Sequence, residues 1–286
     1  AREIGILTDG KVIDGETLDK LSDEEYFEMV DNIQVYARVK PEQKMRIVET
    51  LKQKGEIVSM TGDGVNDAPA LKNASIGVAM GSGTDVAKES GDMIIQDDNF
   101  ETIVTAIREG RKIYDNIKRF VKFQVSTNVG AILTIVGTSI FMLPVPFNPV
   151  QLLWINIVMD GPPAQTLGME GSERNIMTRQ PETGDILNKK VLIKIFIAGL
   201  VMAIGSIALF SYKLAIGASQ KQAMTVAFTL FVMYQLFNAY NSKSNSAKKS
   251  TYLYLAIIAC FILQVLIVYI SCLLYTSPSP RDRQKS

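Results

Sequence analysis

The run Thr61-Gly-Asp-Gly-Val-Asn-Asp-Ala-Pro-Ala-Leu71 sets two carboxylates, Asp63 and Asp67, four residues apart, with glycine on both sides of the first and the Asn66 amide between them. It follows Glu56-Ile-Val-Ser-Met60, an apolar run of strand type, so the carboxylates stand where a strand ends. Glycine lets the backbone turn sharply there. Hard oxygen ligands at this spacing suit Mg²⁺, which binds through one or two carboxylates and takes its other ligands from phosphate and water. A plain acidic turn accounts for a lone Asp-Gly but not for eleven ordered residues. Lys44 opens the helix before that strand, where an ammonium can reach a phosphoryl oxygen as a point charge. Periodicity by itself favours a solvated surface lysine.

Further back stand the elements that must position these groups. Glu3–Leu7, Ile33–Tyr36, Glu56–Ser59, Ile76–Ala79 and Asp92–Ile95 read as strands, with helices over Pro41–Gln53 and Asp67–Lys72. Strands alternating with helices imply a parallel sheet whose ligands bind at the carboxyl ends of the strands. From about residue 117 the chain changes solvent. Apolar stretches over about 120–143, 150–169, 190–214, 223–240 and 252–270 are each long enough to cross roughly 30 Å of hydrocarbon, which predicts five spans within 117–270. Arg111, Lys112, Lys118, Arg119 and Lys122 precede the first span. Arg174, Arg179, Lys189 and Lys190 follow the second, and Lys243, Lys248 and Lys249 the fourth, against Lys213 and Lys221 on the other side. That bias puts the head, residues 1–116, in the cytoplasm.

Composition agrees. The chain is 47% hydrophobic yet carries 30 basic and 29 acidic residues, so charge and apolarity are segregated along it. A net charge of +1 leaves no dominant basic face for nucleic acid, and nothing marks an obligate protein partner; the lipid bilayer is the partner the pattern implies. The absence of histidine removes imidazole catalysis, and Cys260 and Cys272 have no metal spacing and make no disulfide framework. No secretory signal is visible at the start, which lacks an initiator Met.

Within the spans a charge near the bilayer centre costs about 2.5–3.5 kcal/mol on insertion scales, so each is a functional hypothesis. Asp160 sits mid-span, four residues after Asn156, which places both on one helical face. Gly161-Pro162-Pro163 follows, and the prolines remove backbone donors, leaving free carbonyls of the kind that line sites in broken membrane helices. Asn128 precedes Gly130, and Gln235 precedes Asn238. All are hard oxygen donors suited to Ca²⁺, although an interhelical hydrogen bond is the better reading of Asn238 or Gln124 alone.

These motifs resemble the P-type cation-transporting ATPases. TGDGVNDAPAL is similar to the hinge motif of their phosphorylation domain, and Ala37-Arg-Val-Lys-Pro41 with Lys44, Gly77–Gly81, Asp97–Phe100, Gly110–Tyr114 and Leu153–Asp160 fall in the family's order up to about residue 270. The resemblance implies an α/β haloacid-dehalogenase-like, Rossmann-like partial domain followed by an all-α transmembrane helix bundle. It implies Mg²⁺ at Asp63, with Lys44, Asn66 and Asp67 in the catalytic set, Lys44 and Asn66 toward the nucleotide's phosphoryl group, and ATP as the energy source. It also implies Asn128, Asn156, Asp160 and, least firmly, Gln235 as ligands of transported Ca²⁺.

Ala131, Met159 and Gln235 depart from reticulum-type, two-site calcium pumps, which carry glutamate, threonine and glutamate there, and match plasma-membrane-type pumps. The expectation is export of one Ca²⁺ per ATP through an aspartyl-phosphate cycle, in the plasma membrane. A pump for H⁺, Na⁺ or Mn²⁺, or a non-enzymatic membrane module, are the alternatives. The DKTG-type aspartate, nucleotide domain, actuator loop and earlier spans of such pumps are not in the sequence, so the chain alone is expected to be an inactive carboxy-terminal portion. Residues 271–286 are expected to be a non-native sequencing-adapter tail.

Overall fold

The computed structural model describes residues 2–3, 5–173, 175–180, 185–244 and 250–269, so the expectation for residues 271–286 lies outside the described residues. The chain forms two compact units, residues 1–106 and 107–286.

In the first unit, β1 (Lys11–Asp14), α1 (Gly15–Lys20), α2 (Asp23–Met29), β2 (Ile33–Ala37) and α3 (Pro41–Gln53) precede β3 (Ser59–Gly62). Then come α4 (Ala68–Asn73), β4 (Ile76–Met80), α5 (Asp85–Ser90) and β5 (Met93–Ile95). All pairings are parallel, β1 with β2 and β3–β4–β5 in that order. Two strands differ from expectation. Residues 5–7 form no strand, because Gly5 takes φ +72° and its amide bonds to Arg2 O, closing a turn; the strand that pairs with β2 starts at Lys11. The strand expected over Glu56–Ser59 instead begins at Ser59, since the Lys54–Gly55 turn, with Gly55 at φ +88° and Glu56 N bonded to Leu51 O, occupies the preceding residues. Helix α3 matches its expected bounds. Pro41 stands in its first turn, and the side chain of Gln43 accepts from Lys40 N at 2.7 Å. The same Gln43, buried, donates to Gly15 O at 2.8 Å and to Asp19 at 2.6 Å, anchoring the start of the helix that carries Lys44.

The second unit is helical. α6 (Phe100–Ile140) is 41 residues long, roughly 60 Å at 1.5 Å per residue and twice a hydrocarbon core, so only part of it can lie in lipid. α9 (Lys189–Ala215), α10 (Gln220–Ser242) and α11 (Thr251–Tyr269) are, with α6, the four described helices long and apolar enough to cross a membrane. The stretch between α6 and α9 is discontinuous. It comprises α7 (Pro149–Leu153), a π-helical turn Trp154–Met159 and α8 (Gly161–Gly168), where Pro162 and Pro163 supply no amide to the preceding turn. The core joins Phe147, Ile155, Met159, Met202, Phe228, Phe231 and Val232.

Candidate functional site

The head site starts where β3 ends. Gly62 is required there: a Cβ would stand 2.5 Å from Asp67 Cβ, so only glycine lets the following turn fold back onto the strand. Asp63 is exposed, and its backbone carbonyl accepts from Thr84 N at 2.8 Å, which ties it to the turn before α5. Asn66 is also exposed. Asp67 is buried, with Oδ1 accepting from Lys44 Nζ at 2.6 Å and Oδ2 from Gly64 N at 3.4 Å. Burial works against its ionisation. The Lys44 ammonium and the Gly64 and Asp63 amides outweigh that and hold the carboxyl below the usual carboxylate range. The structure thus joins Lys44 to Asp67, a contact the spacing alone does not reveal, and separates the roles of the two aspartates. Both oxygens of Asp67 are engaged, one by Lys44 of α3 and the other by the Gly64 amide of the turn, while Asp63 presents its carboxylate outward. The donor set fits Mg²⁺: an exposed carboxylate and an amide oxygen are hard ligands, of the kind the ion takes alongside phosphate and water. Asp97–Phe100 proves to be turn chemistry. Asp98, at φ +52°, accepts from Ser82 N at 3.2 Å, and Asp97 accepts from Thr102 at 2.7 Å.

The membrane site centres on Asp160, 1% exposed. Gln235 of α10, 0% exposed, donates through Nε2 to Asp160 Oδ1 at 2.5 Å and lies 3.5 Å from Ile155 O. Asp160 Oδ2 and Gln235 Oε1 are both buried without a hydrogen-bond partner. Two buried oxygens that no hydrogen bond of ordinary geometry satisfies, beside a helix broken by Pro162 and Pro163, are what a hard cation would satisfy; the Thr127 hydroxyl, also near Asp160, is already given to Phe123 O. Asn156 does not share the buried face of Asp160: it is exposed. The reason is the π turn, in which Asp160 N bonds to Ile155 O at 2.9 Å, five residues back, so the 3.6-residue spacing that would align them does not hold. Asn128 is exposed on α6, and Asn238 is buried with Nδ2 unpartnered. Met159 lies in the apolar core, and Ala131 packs against it, so neither brings oxygen to this region.

Sequence reading missed a polar tie at the helix ends. Arg111 donates to Ile176 O at 2.9 Å and Arg179 O at 3.0 Å, and Arg179 pairs with the buried Asp115 at 2.5 Å. Asn116 donates to Gly168 O at 3.1 Å and Glu170 O at 2.9 Å, and Arg119 pairs with Glu173 at 2.7 Å. Residues counted as boundary charges therefore hold the segment after α8 against α6. The acidic and amide residues four and five positions after Arg111, Asp115 and Asn116, were the available signal.

The fold is that of an integral membrane protein, a parallel α/β unit followed by helices of which four, among the described residues, are long and apolar enough to cross a membrane. The model for haloacid dehalogenase-like hydrolases matches residues 1–75, and that for the cation-transporting ATPase C-terminus matches residues 144–280. Calcium-transporting ATPase 1 of Saccharomyces cerevisiae is 44% identical over 253 residues, 86% of this chain and 27% of the relative. Calcium-transporting ATPase type 2C member 1 of Homo sapiens is 43% identical over 237 residues, 82% and 26%. A calcium-transporting ATPase of Bacillus subtilis is 39% identical over 270 residues, 91% and 30%. The chain belongs to the P-type cation-transporting ATPases, and it spans between a quarter and a third of the length of these relatives.

Proposed function

We propose that this chain is the carboxy-terminal portion of an ATP-driven Ca²⁺ pump that works through an aspartyl-phosphate cycle and moves one Ca²⁺ per ATP. The observation that carries the reading is the pair of buried oxygens without a protein hydrogen bond, Asp160 Oδ2 and Gln235 Oε1, which face one space beside a broken membrane helix. Calcium takes six to eight oxygens, so these two, with carbonyls of the broken helix, make part of one shell and not of two. Ala131 and Met159, packed in the apolar core, support the single site. Asn128 and Asn156, exposed in this chain, join the shell in the complete pump.

In the head, Asp63 and Asn66 would hold Mg²⁺, which when bound neutralises charge on phosphoryl oxygens. Asp67 keeps the Gly62–Gly64 turn in shape and fixes the Lys44 ammonium beside it, so that Lys44 meets the phosphoryl group as a positioned charge. The head, residues 1–116, faces the cytoplasm by the distribution of basic residues, the five spans cross the plasma membrane, and ATP binds chiefly through parts of the pump outside this sequence. Alone, the chain supplies the metal carboxylate and the lysine without a nucleophile, and forms no phosphoenzyme.

Equilibrium ⁴⁵Ca binding to the complete pump tests the reading, with Asp160→Asn as the blank. One ion per active site, lost in the variant, is expected. A stoichiometry near two contradicts the single site, unchanged binding in Asp160→Asn removes the ion-site assignment, and displacement by Mn²⁺, Na⁺ or H⁺ at lower concentration than by Ca²⁺ reassigns the cation.

A further inference from the structure

α8 and α10 run side by side in the same direction and meet at two polar contacts. At one end Gln235 donates to Asp160; at the other, the buried Glu170 accepts from Ser244 N and from Ser250 Oγ. Between these contacts α10 presents Asn238, 8% exposed, and Ser242, 3% exposed. At 100° per residue Gln235, Asn238 and Ser242 fall within about 60° of one another, a single stripe along the helix.

Every member of the stripe carries a buried polar atom without a partner: Gln235 Oε1, Asn238 Nδ2 and Ser242 Oγ, continuing the row from Asp160 Oδ2. Ser242 makes no bond to the carbonyl four residues back, the usual resort of a helical serine, unlike Ser126, Thr134 and Thr138 of α6, which all do. Interiors satisfy such atoms with protein or with ordered water. Rising about 4.5 Å and 6 Å along the axis, the three residues follow one another on that stripe with no turn of the helix between them left without a polar group.

We propose that Gln235, Asn238 and Ser242 line a file of ordered waters connecting Asp160 with the polar cluster at Glu170 and Ser244. A hydrated cation must shed its shell to bind Asp160, and this file is the route by which those waters leave and return; that role rests on the ion-site reading, whereas the file itself does not. The face of α8 toward this region, Pro163, Ala164 and Leu167, is apolar and buried, so the waters are held from the α10 side and pass along it.

The test is thiol accessibility in the full chain reconstituted in lipid nanodiscs, with Cys260→Ser and Cys272→Ser as background. Asn238→Cys and Ser242→Cys are treated with 2-aminoethyl methanethiosulfonate. Ala239→Cys, fully buried in apolar surroundings, and Phe237→Cys, on the exposed apolar surface, serve as references. Reaction at positions 238 and 242 at least tenfold faster than at both references is expected. Equal rates overturn the proposal. A second measurement guards against misfolded cysteine variants. Ser242→Ala removes a polar atom, so its thermal midpoint rises if the stripe is dry and falls if a water satisfies the hydroxyl; a rise overturns the proposal. ⁴⁵Ca binding to Asp160→Asn separates the two readings, since loss of the ion-site assignment leaves thiol rates unchanged, and slow thiol reaction leaves Ca²⁺ binding unchanged.

Discussion

Replacing Asp67 by Ala isolates the device that holds the head site. The substitution deletes the 2.6 Å contact with Lys44 Nζ and the 3.4 Å contact with Gly64 N. A hydrogen bond to a charged group contributes about 1.5–3 kcal/mol net. The Lys44 side chain is 34% exposed, which screens the pair toward the lower end, and the long Gly64 contact adds little. The expected loss is about 1.5–2 kcal/mol, roughly 10- to 30-fold in the local opening constant at 1.36 kcal/mol per tenfold. Hydrogen-exchange mass spectrometry on the full chain reads it in peptides covering residues 61–73, whose amides at Ala70 and Leu71 are buried. Lys44→Met and the double variant complete a cycle with an expected coupling of about 1–2 kcal/mol. The pH dependence follows in sign. The folded carboxyl of Asp67 is held below its unfolded value, so the contribution is fully present above the unfolded value and is lost as pH falls through the lowered folded one. Protection in Asp67→Ala equal to the wild type, or a coupling of zero, refutes the positioning role.

Other outcomes follow from the same geometry. In the complete pump, Asp63→Ala abolishes phosphoenzyme formation from radiolabelled ATP while ⁴⁵Ca binding persists; parallel loss of both makes Asp63 a structural residue. Gln235→Leu removes the neighbour of Asp160 and lowers Ca²⁺ affinity at least tenfold by the same binding assay, with unchanged affinity placing Gln235 outside the shell. Asp115→Ala removes the buried carboxylate that pairs with Arg179 and costs about 1.5–3 kcal/mol, whereas Glu109→Ala, in an exposed pair with Lys112, costs under about 1 kcal/mol. Thermal unfolding in detergent compares them, and equal midpoints show that the Asp115 tie is not structural. The chain incubated alone with labelled ATP incorporates no acid-stable phosphate; a labelled aspartate contradicts the proposed division of labour.

The identity of the chain was legible in residue order because turn chemistry is local. Gly62-Asp63-Gly64 at a strand end and Pro162-Pro163 after Asp160 each dictate backbone geometry within a few residues, whatever surrounds them. The apolar stretches were legible for a similar reason, since hydrocarbon admits a helix only of a certain length and composition. Helix α3, with Pro41 at its start, came out at its expected bounds, while the strand expected over Glu3–Leu7 lost to a single left-handed glycine. What residue order could not hold is which distant groups share one space. Lys44 meets Asp67 across 23 positions, Gln235 meets Asp160 across 75, and Arg179 meets Asp115 across 64. Nor could periodicity foresee the π turn that parts Asn156 from Asp160, because a bond to the fifth residue back in place of the fourth leaves no mark in residue order, although it rotates every later side chain. Sequence named the chemical groups; packing chose which of their oxygens are already satisfied and which are left, as at Asp160 and Gln235, for something else to bind.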